Sequence, residues 1–313
     1  CIRDRPEAVE ARLKRDYRVH LNPDDVLYPS RKLLALSSNA DAILACHTEH
    51  FDADLIAQLP ERVRAIANFS VGVDHVDLDA ARARGLIVTN TPDVLADATA
   101  EVTMLLILGA ARRASEGERL VRSGEWNTWS PAFMVGTQVT GKRLGILGMG
   151  RVGQVTARRA RGFDMHIHYH NRQRLPAELE AGATFHDSVE DLLPECEFLA
   201  VHCPSTPETQ DLINAKRLAL LPDGAILVNV ARGNVIDEHA LIAALATGRL
   251  RAAGLDVYKN EPDILPALRA VTNTFLLPHI GSATRETRDA MGFRALDNLD
   301  AIFSGAEPGD RVA

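Results

Sequence analysis

The sequence predicts an α/β protein with two doubly wound domains, and three observations support this. Short apolar runs alternate with helix-type patterns along almost the whole of the 313 residues. Several runs are nearly continuous in Val, Ile, Leu and Ala, which is typical of parallel strands that helices cover on both faces. At roughly 150 residues per domain the length favours two domains, and the β–α alternation favours a doubly wound architecture.

Nine segments have the apolar pattern of a strand. In chain order they are Asp41–Cys46, Arg64–Phe69, Leu86–Thr89, Arg143–Leu147, Met165–His170, Glu197–Cys203, Ala225–Val230, Ala253–Val257 and Thr274–Leu277. Because helical patterns separate most of these runs, we expect the strands to pair in parallel.

One helical pattern is unusually long. Asp97 is a suitable N-cap, and the pattern continues to Arg122 before Ser123-Gly124 ends it. A helix of about 26 residues spans about 39 Å, a length suited to a bridge between domains or to a subunit interface. The alternative is one long core helix. A second helix is predicted at Ala283–Phe303.

The composition excludes several classes of protein. With 46% hydrophobic and 25% charged residues, the chain is neither disordered nor fibrous. The net charge of −7 argues against a nucleic-acid partner, because nucleic-acid-binding domains are usually basic. The longest apolar run, Met104 to Ala111, is far shorter than the roughly 20 residues that span a bilayer. We therefore predict no membrane partner.

The cysteines indicate a reducing compartment. Cys1, Cys46, Cys196 and Cys203 are widely separated and form no CxxC pair, so we interpret all four as reduced thiols. The start of the chain has no signal-peptide pattern, and we expect a cytoplasmic protein. Since the first residue is Cys and not Met, we also expect a few residues to precede it, including part of a first strand.

A glycine-rich motif follows the predicted strand Arg143–Leu147. The motif is Gly148-Met149-Gly150-Arg151-Val152-Gly153, and a helical pattern follows from Gln154, the context of a dinucleotide-binding turn. Gly148 would allow the tight turn, Gly150 the approach of a pyrophosphate, and Gly153 the close packing of helix on strand. The N–H groups of the helix N-terminus would bind the phosphates. The alternative is a glycine-rich turn without a ligand.

The residues after the next strand bear on the choice of dinucleotide. Domains that use NAD carry an Asp or Glu about 20 residues beyond the motif, where it binds the ribose 2′-hydroxyl. Here Met165–His170 is followed by Asn171, Arg172 and Arg174, with no carboxylate. Guanidinium groups bind phosphate through charge-assisted hydrogen bonds, so Arg172 and Arg174 predict a preference for NADP(H). The alternative is a solvated turn in an enzyme that uses either NADP or NAD.

His166, His168 and His170 alternate along one predicted strand, so their side chains share one face. Three imidazoles can bind a metal ion. No cysteine or carboxylate completes a ligand set nearby, and we therefore predict no metal site.

Arg232, Glu261 and His279 follow three successive predicted strands. The carboxyl ends of parallel strands meet at one edge of a sheet, where ligands bind, so we expect these side chains to form one site. A guanidinium suits a carboxylate next to a carbonyl. A carboxylate beside a histidine stabilises the imidazolium, which can donate a proton. Alone, each residue is more often structural, and Arg232 has the alternative role of capping the following helix.

These motifs resemble the D-isomer-specific 2-hydroxyacid dehydrogenase family over essentially the whole chain. The resemblance rests on four ordered segments, Gly148–Gly153, Val228–Gly233, Leu255–Pro262 and Pro278–Gly281. The glyoxylate/hydroxypyruvate reductases are the most similar branch, judged from Asn68–His75 and Trp126–Pro131.

The resemblance implies a Rossmann cofactor domain inserted in a flavodoxin-like substrate domain. Residues 1–93 and 283–313 would form the substrate domain and residues 94–282 the dinucleotide-binding domain, with a cleft that closes on the substrate. It also implies a homodimer in which Trp129 reaches the active site of the partner subunit. The alternative for Trp129 is a buried aromatic that holds its own loop.

The resemblance further implies NADP(H)-dependent reduction of a small 2-oxoacid, glyoxylate or hydroxypyruvate, to the D-2-hydroxyacid. Arg232 would bind the substrate, His279 would be the general acid, and Glu261 would orient and charge His279. The amides of Val71 and Gly72 would hold the substrate carboxylate. Cofactor binding is assigned to Gly148, Gly150, Arg151, Val152, Gly153, Asn171, Arg172, Arg174, Cys203, Pro204, Val230, Asp256 and Gly281.

Two other functions remain open at this point, an NAD-dependent dehydrogenase of a bulkier D-2-hydroxyacid and a dinucleotide-sensing corepressor that binds a peptide. Some branches of the family fit less well. Formate dehydrogenases have Gln where this chain has Glu261, and phosphite dehydrogenases have a Lys in the loop matching Ser70–His75, where this chain has none. We also expect no C-terminal regulatory domain of the kind that phosphoglycerate dehydrogenases often carry.

Overall fold

The structure, a computed structural model, describes residues 5–313, which form two compact units. One unit contains the chain up to Leu95 together with Ser282–Ala313, and the other contains Ala96–Gly281. Cys1, which we predicted to be a reduced thiol, lies outside the described residues.

Ten strands of the described chain form two parallel sheets, and nine of them match predicted segments. The strands are β1 (Ala42–Ala45), β2 (Ala65–Asn68), β3 (Ile87–Thr89), β4 (Arg143–Leu147), β5 (His166–His170), β6 (Thr184–Phe185), β7 (Phe198–Val201), β8 (Ala225–Asn229), β9 (Leu250–Leu255) and β10 (Thr274–Leu276). The sequence pattern missed β6, because two residues are too few to show a period.

Thirteen α-helices connect or flank these strands within residues 5–313. They are α1 (Glu7–Asp16), α2 (Ser30–Ser37), α3 (Ala53–Gln58), α4 (Leu78–Arg84), α5 (Ala96–Ala111), α6 (Ala114–Ser123), α7 (Arg151–Arg161), α8 (Ala177–Glu180), α9 (Val189–Leu192), α10 (Ala215–Leu218), α11 (Glu238–Ala246), α12 (Pro266–Arg269) and α13 (Arg285–Ser304). Short 3₁₀ turns lie at Leu193–Glu195, Pro207–Thr209 and Gly233–Val235.

The first unit is built on a three-stranded parallel sheet of order β1-β2-β3. The central strand β2 is buried along its whole length, as expected for a strand covered on both faces. Ala65 and Ala67 pack in one apolar cluster with α1 and α13, whereas Ile66 packs in another with α3 and α4. Alternate side chains of β2 therefore reach opposite layers of helices.

The second unit is a seven-stranded parallel sheet of order β10-β9-β8-β7-β4-β5-β6. The first strand of the unit, β4, lies inside the sheet, and the chain then builds outward on each side of it, which is the doubly wound Rossmann order. The direction of building reverses between β4 and β7, a point at which such sheets bind ligands at their carboxyl ends. The predicted fold class is confirmed.

The prediction of one long helix from Asp97 to Arg122 is wrong. The chain forms α5 and α6 instead, and Arg113 between them has a φ of 55°, a left-handed conformation that a right-handed helix cannot continue through. The last carbonyl of α5, on Ala111, accepts a hydrogen bond from the N–H of Thr137 at 2.8 Å. Neither glycine nor proline marks this break in the sequence. The predicted end at Gly124 is confirmed, since Gly124 has a φ of 72° and caps α6.

The described cysteines Cys46, Cys196 and Cys203 are free, as predicted. Burial raises the pKa of Cys203 to about 11. Burial also opposes ionisation of Cys46, but a hydrogen bond with His47 Nδ1 and the nearby charge of Arg5 together lower the pKa of Cys46 to about 7. Among residues 5–313, no helix combines the length and apolar character that a bilayer span requires.

Candidate active site and cofactor site

The turn after β4 is packed against the chain that follows β7. Gly148 has a φ of 96°, and a Cβ there would lie 2.6 Å from the backbone nitrogen of Cys203. Gly153, in the first turn of α7, lies against the same turn, because a Cβ there would lie 2.7 Å from the carbonyl oxygen of Gly148. Packing within the protein therefore requires glycine at both positions. It also brings Cys203 and Pro204 next to the motif.

Gly150 has no comparable structural reason to be glycine. Its φ of −76° suits any residue, and an added Cβ would meet no atom within 4 Å. It is the N-cap of α7, so the N–H groups of the first helical turn, which begins at Arg151 and Val152, lie beside it. A residue without a side chain is needed here if a ligand approaches the backbone, which fits a dinucleotide pyrophosphate at the helix N-terminus.

The loop after β5 is tied to the glycine turn. Asn171 Oδ1 accepts a hydrogen bond from the N–H of Met149 at 2.6 Å. The side chain of Arg172 is exposed. The guanidinium of Arg174 donates to Glu180, with Nε 2.7 Å from Oε1 and Nη2 3.1 Å from Oε2. The structure therefore places the two predicted phosphate-binding arginines in different surroundings.

Two of the three histidines of β5 contact a fourth histidine outside the strand. His168 Nδ1 lies 3.0 Å from His186 Nε2, with the rings stacked, and His170 Nδ1 lies 2.9 Å from the carbonyl oxygen of His186. Burial, followed by the neighbouring His186, lowers the pKa of His168. These contacts join β5 to the segment after β6, and the absence of a metal here stays a prediction.

Arg232 lies in the segment that leaves β8, where Asn229 shapes the turn. Asn229 is buried, its Oδ1 accepts the N–H of Ala231 at 3.0 Å, and its Nδ2 donates to the carbonyl oxygen of Arg232 at 2.9 Å. The next residue, Gly233, lies directly on the backbone of Tyr258, where a Cβ would overlap the peptide. The segment carrying Arg232 is thus packed on the segment that carries Glu261.

Glu261 and His279 form a close pair between the segments after β9 and β10. Glu261 Oε2 lies 2.5 Å from His279 Nδ1, and Glu261 Oε1 accepts a hydrogen bond from the N–H of Tyr258 at 2.7 Å. Both side chains are about one quarter exposed, at 26% and 28%. His279 has a φ of 54°, a conformation uncommon for residues other than glycine and found at functional sites. The carboxylate therefore fixes the orientation of the imidazole.

Asp256 holds the backbone of the segment that carries His279. Its side chain is buried and accepts the N–H of Ile280 at 2.8 Å and of Gly281 at 2.7 Å. Burial raises the pKa of Asp256 above its usual range, against the opposing effect of these hydrogen bonds. Thr99 in α5 donates to the carbonyl oxygen of Gly281 at 3.1 Å. Asp256 thus holds the backbone of the segment that follows His279. Its predicted contact with the cofactor stays a prediction.

Glu238 and Tyr258 also support the site, although the sequence analysis gave them no role. Glu238 is buried, and its Oε1 accepts the N–H of Lys259 at 2.8 Å. The hydroxyl of Tyr258 donates to the carbonyl oxygen of Leu277 at 2.8 Å. The only sign of this in the sequence is the position of Glu238 directly after Asp237, the N-cap of α11. A glutamate at such a position is usually exposed.

Val71 and Gly72 belong to the first unit, in the loop after β2. Their carbonyl oxygens accept hydrogen bonds at 2.9 Å, that of Val71 from Asn90 Nδ2 and that of Gly72 from Asn68 Nδ2. Within residues 5–313, no backbone hydrogen bond uses either N–H. This loop therefore fits the carboxylate-binding role predicted for its amides, which stays a prediction.

Trp129 is 75% exposed, so its interpretation as a buried aromatic that holds the loop is wrong. Other large apolar side chains of the same unit are also exposed, among them Trp126, Val121 and Val135. The partner contact predicted for Trp129 stays a prediction. Val230, in contrast, follows β8 and is only 9% exposed.

The chain is similar to a known protein family and to individual proteins of known name. Residues 104–281 match the family described as D-isomer specific 2-hydroxyacid dehydrogenase, NAD binding domain. A glycerate dehydrogenase of Hyphomicrobium methylovorum is 43% identical over 304 residues, covering 96% of this chain and 94% of that protein. A glyoxylate reductase of Thermococcus kodakarensis is 44% identical over 308 residues, covering 97% and 92%.

Two solved structures are similar over nearly their full lengths. A putative D-isomer specific 2-hydroxyacid dehydrogenase from Polaromonas sp. JS6 66 has a TM-score of 0.95 and 43% identity, covering 100% of this chain and 98% of that one. An NADPH-dependent glyoxylate/hydroxypyruvate reductase from Sinorhizobium meliloti, in complex with NADP and malonate, has a TM-score of 0.87 and 33% identity, covering 99% and 95%. The predicted cofactor class, a nicotinamide adenine dinucleotide, is confirmed.

Proposed function

Because the chain belongs to the D-isomer-specific 2-hydroxyacid dehydrogenase family, we propose that it reduces a small 2-oxoacid to the D-2-hydroxyacid with NADPH. Glyoxylate and hydroxypyruvate are the proposed substrates. The relatives described above support this choice, since they include a glyoxylate reductase and a glyoxylate/hydroxypyruvate reductase.

The observation that carries the proposal is the pair formed by Glu261 and His279. Oε2 and Nδ1 are 2.5 Å apart, and the pair follows strands of the sheet that also holds the glycine turn. A histidine with a carboxylate on Nδ1 keeps its transferable proton on Nε2. Such a group can protonate the carbonyl oxygen of an oxoacid during reduction and remove the proton during oxidation.

Arg232 would bind the substrate carboxylate and polarise its carbonyl. A guanidinium fork matches two oxygen atoms at once, and Asn229 holds the backbone that presents it. The amides of Val71 and Gly72 are proposed as further carboxylate donors. When bound, the reduced nicotinamide supplies the hydride to the carbonyl carbon.

The preference for NADPH is proposed from the loop after β5. No carboxylate stands directly after this strand to accept the ribose hydroxyls, and the exposed Arg172 lies there instead. A guanidinium at this place suits a 2′-phosphate. A homodimer is proposed from the exposed Trp129 and the exposed apolar residues of the same unit, since large exposed apolar patches mark protein interfaces.

A matrix of steady-state assays tests the function. The absorbance of the reduced nicotinamide is followed with NADPH and with NADH, each against glyoxylate, hydroxypyruvate and phenylpyruvate. We expect kcat/KM with NADPH to be at least about tenfold higher for the two small oxoacids than for phenylpyruvate. A preference for phenylpyruvate with NADH would instead identify a dehydrogenase of bulkier acids. No turnover together with specific peptide binding would identify a corepressor.

A further inference from the structure

The carboxylate of Glu180 forms an ion pair with Arg174, one of the two arginines that follow β5. The Glu180 side chain is only 9% exposed, although α8 lies at the surface. It accepts two hydrogen bonds from the fork of Arg174, at 2.7 and 3.1 Å, and a third from the hydroxyl of Tyr169 at 2.6 Å. Charge-assisted bidentate pairs of this kind are among the stronger hydrogen bonds in proteins.

The surroundings of this pair hold it in place. Tyr169 is fully buried in β5, and its hydroxyl also accepts the N–H of Leu175 at 3.0 Å. Arg161 of α7 donates to the carbonyl oxygen of Glu180 at 2.9 Å. Withdrawing Arg174 would leave a nearly buried carboxylate with one remaining side-chain donor, which is unfavourable. We therefore expect Arg174 to stay paired with the carboxylate of Glu180.

Arg172 is in a different position. Both arginine side chains are exposed, that of Arg174 to 64%, but among residues 5–313 no hydrogen bond or ion pair engages Arg172. Its charge nevertheless reaches the chain beyond β7, because it adds to the hydrogen bond from Thr206 that lowers the pKa of Glu208. Arg172 is thus near Glu208 in the segment that follows β7, and the start of this segment, at Cys203, lies against the glycine turn.

We propose that Glu180 is a specificity-determining residue, which engages Arg174 as an internal anion and leaves Arg172 alone to bind a ribose 2′-phosphate. The consequence is a limited preference for NADP over NAD, because only one of the two arginines can bind the 2′-phosphate. This inference rests on the proposed use of a nicotinamide dinucleotide by the same site. It assigns opposite roles to the two arginines, although the sequence treats them alike.

The test measures dinucleotide affinity in the absence of any oxoacid. NADPH and NADH are titrated into the wild-type chain and into Arg172→Gln, Arg174→Gln, Glu180→Gln and Glu180→Gln/Arg174→Gln, with binding followed by nicotinamide fluorescence. Glu178→Gln is the matched control, since Glu178 is an exposed glutamate of the same helix. Thermal unfolding of each variant confirms that it is folded.

We expect Arg172→Gln to weaken NADPH binding about tenfold or more and to leave NADH binding within about twofold. Arg174→Gln should change both affinities by less than about twofold. Glu180→Gln releases Arg174 and should raise the ratio of NADPH to NADH affinity by about fivefold or more. The double variant should lose this gain, and Glu178→Gln should match the wild type.

Two results would overturn the inference. One is a loss of NADPH affinity in Arg174→Gln comparable to that in Arg172→Gln, which would make Arg174 a phosphate ligand. The other is a folded Glu180→Gln variant whose preference is unchanged or reduced. If Glu180→Gln does not fold, the comparison of the two arginine variants decides the question. Failure of the wild-type chain to bind either dinucleotide would contradict the proposed function itself.

Discussion

Glu261 Oε2 lies 2.5 Å from His279 Nδ1, and the other oxygen of the same carboxylate is held by the N–H of Tyr258. One carboxylate thus joins the segments that follow two neighbouring strands, β9 and β10. The backbone contact fixes the carboxylate, which in turn fixes the imidazole.

Replacing Glu261 with Gln retains the side-chain shape and removes the charge. We expect kcat for 2-oxoacid reduction to fall by about 10- to 100-fold. Single-turnover rates at saturating NADPH separate this loss in the chemical step from a change in KM. A Gln variant with the wild-type kcat would contradict the role of Glu261 in orienting His279.

Removing the guanidinium of Arg232 should impair the oxoacid and spare the cofactor. For Arg232→Ala we expect kcat/KM for glyoxylate to fall by about 100- to 1000-fold, with the Kd of NADPH within about twofold of wild type. Stopped-flow and fluorescence titration measure the two quantities. Arg251→Ala, at an exposed position of β9, is the matched control. Near-wild-type turnover in Arg232→Ala would rule out its assigned role.

Gly150 and Gly153 should respond differently to the same small change. A methyl group at Gly150 meets no atom within 4 Å, so Gly150→Ala should change the free energy of unfolding by less than about 1 kcal/mol. It should weaken NADPH binding about tenfold or more, because the methyl group occupies the pyrophosphate approach. In Gly153→Ala the methyl group meets the Gly148 carbonyl and should destabilise the fold by about 1–3 kcal/mol.

Chemical denaturation and NADPH titration of the two alanine variants separate these effects. Unchanged NADPH affinity in a folded Gly150→Ala variant would show that the pyrophosphate does not bind beside Gly150.

Replacing Trp129 should change the KM for the substrate without changing the stability of the protein. Because its side chain is 75% exposed, Trp129→Ala should leave the melting temperature unchanged within about 2 °C. If it reaches the site of a partner subunit, the KM for the oxoacid should rise several-fold in a protein that light scattering finds dimeric. Leu220→Ala, another exposed apolar position, is the control. A wild-type KM for each oxoacid would contradict the proposed contact.

The sequence predicted well those features that follow from local pattern. Apolar runs located nine strands, and the glycine spacing located the turn at Gly148, because buried parallel strands and tight turns leave clear signals. The break at Arg113 left none, because no glycine or proline stands there and the N–H that binds the last carbonyl of α5 comes from Thr137, a distant residue in the chain. Such a tertiary contact has no counterpart in periodicity.

Dependence on tertiary contacts also explains which features of the candidate site the sequence could not predict. Arg172 and Arg174 look equivalent as a pair of cations, and only the fold brings Glu180 onto Arg174. Asn229 stood within a recognised segment, yet its part in shaping the backbone around Arg232 depends on burial at the end of β8. The sequence therefore indicates candidate reacting residues more readily than the residues that hold them in place.

The role of His279 as proton donor is decided by the pH dependence of kcat/KM for glyoxylate with NADPH, compared between the wild-type chain and His279→Ala. We expect the wild-type rate to fall at alkaline pH, where a general acid is deprotonated. The variant should be slower by about 100- to 10,000-fold and should lack that decline. A His279→Ala variant that keeps the wild-type rate and the same alkaline decline would contradict the assignment of His279 as the proton donor.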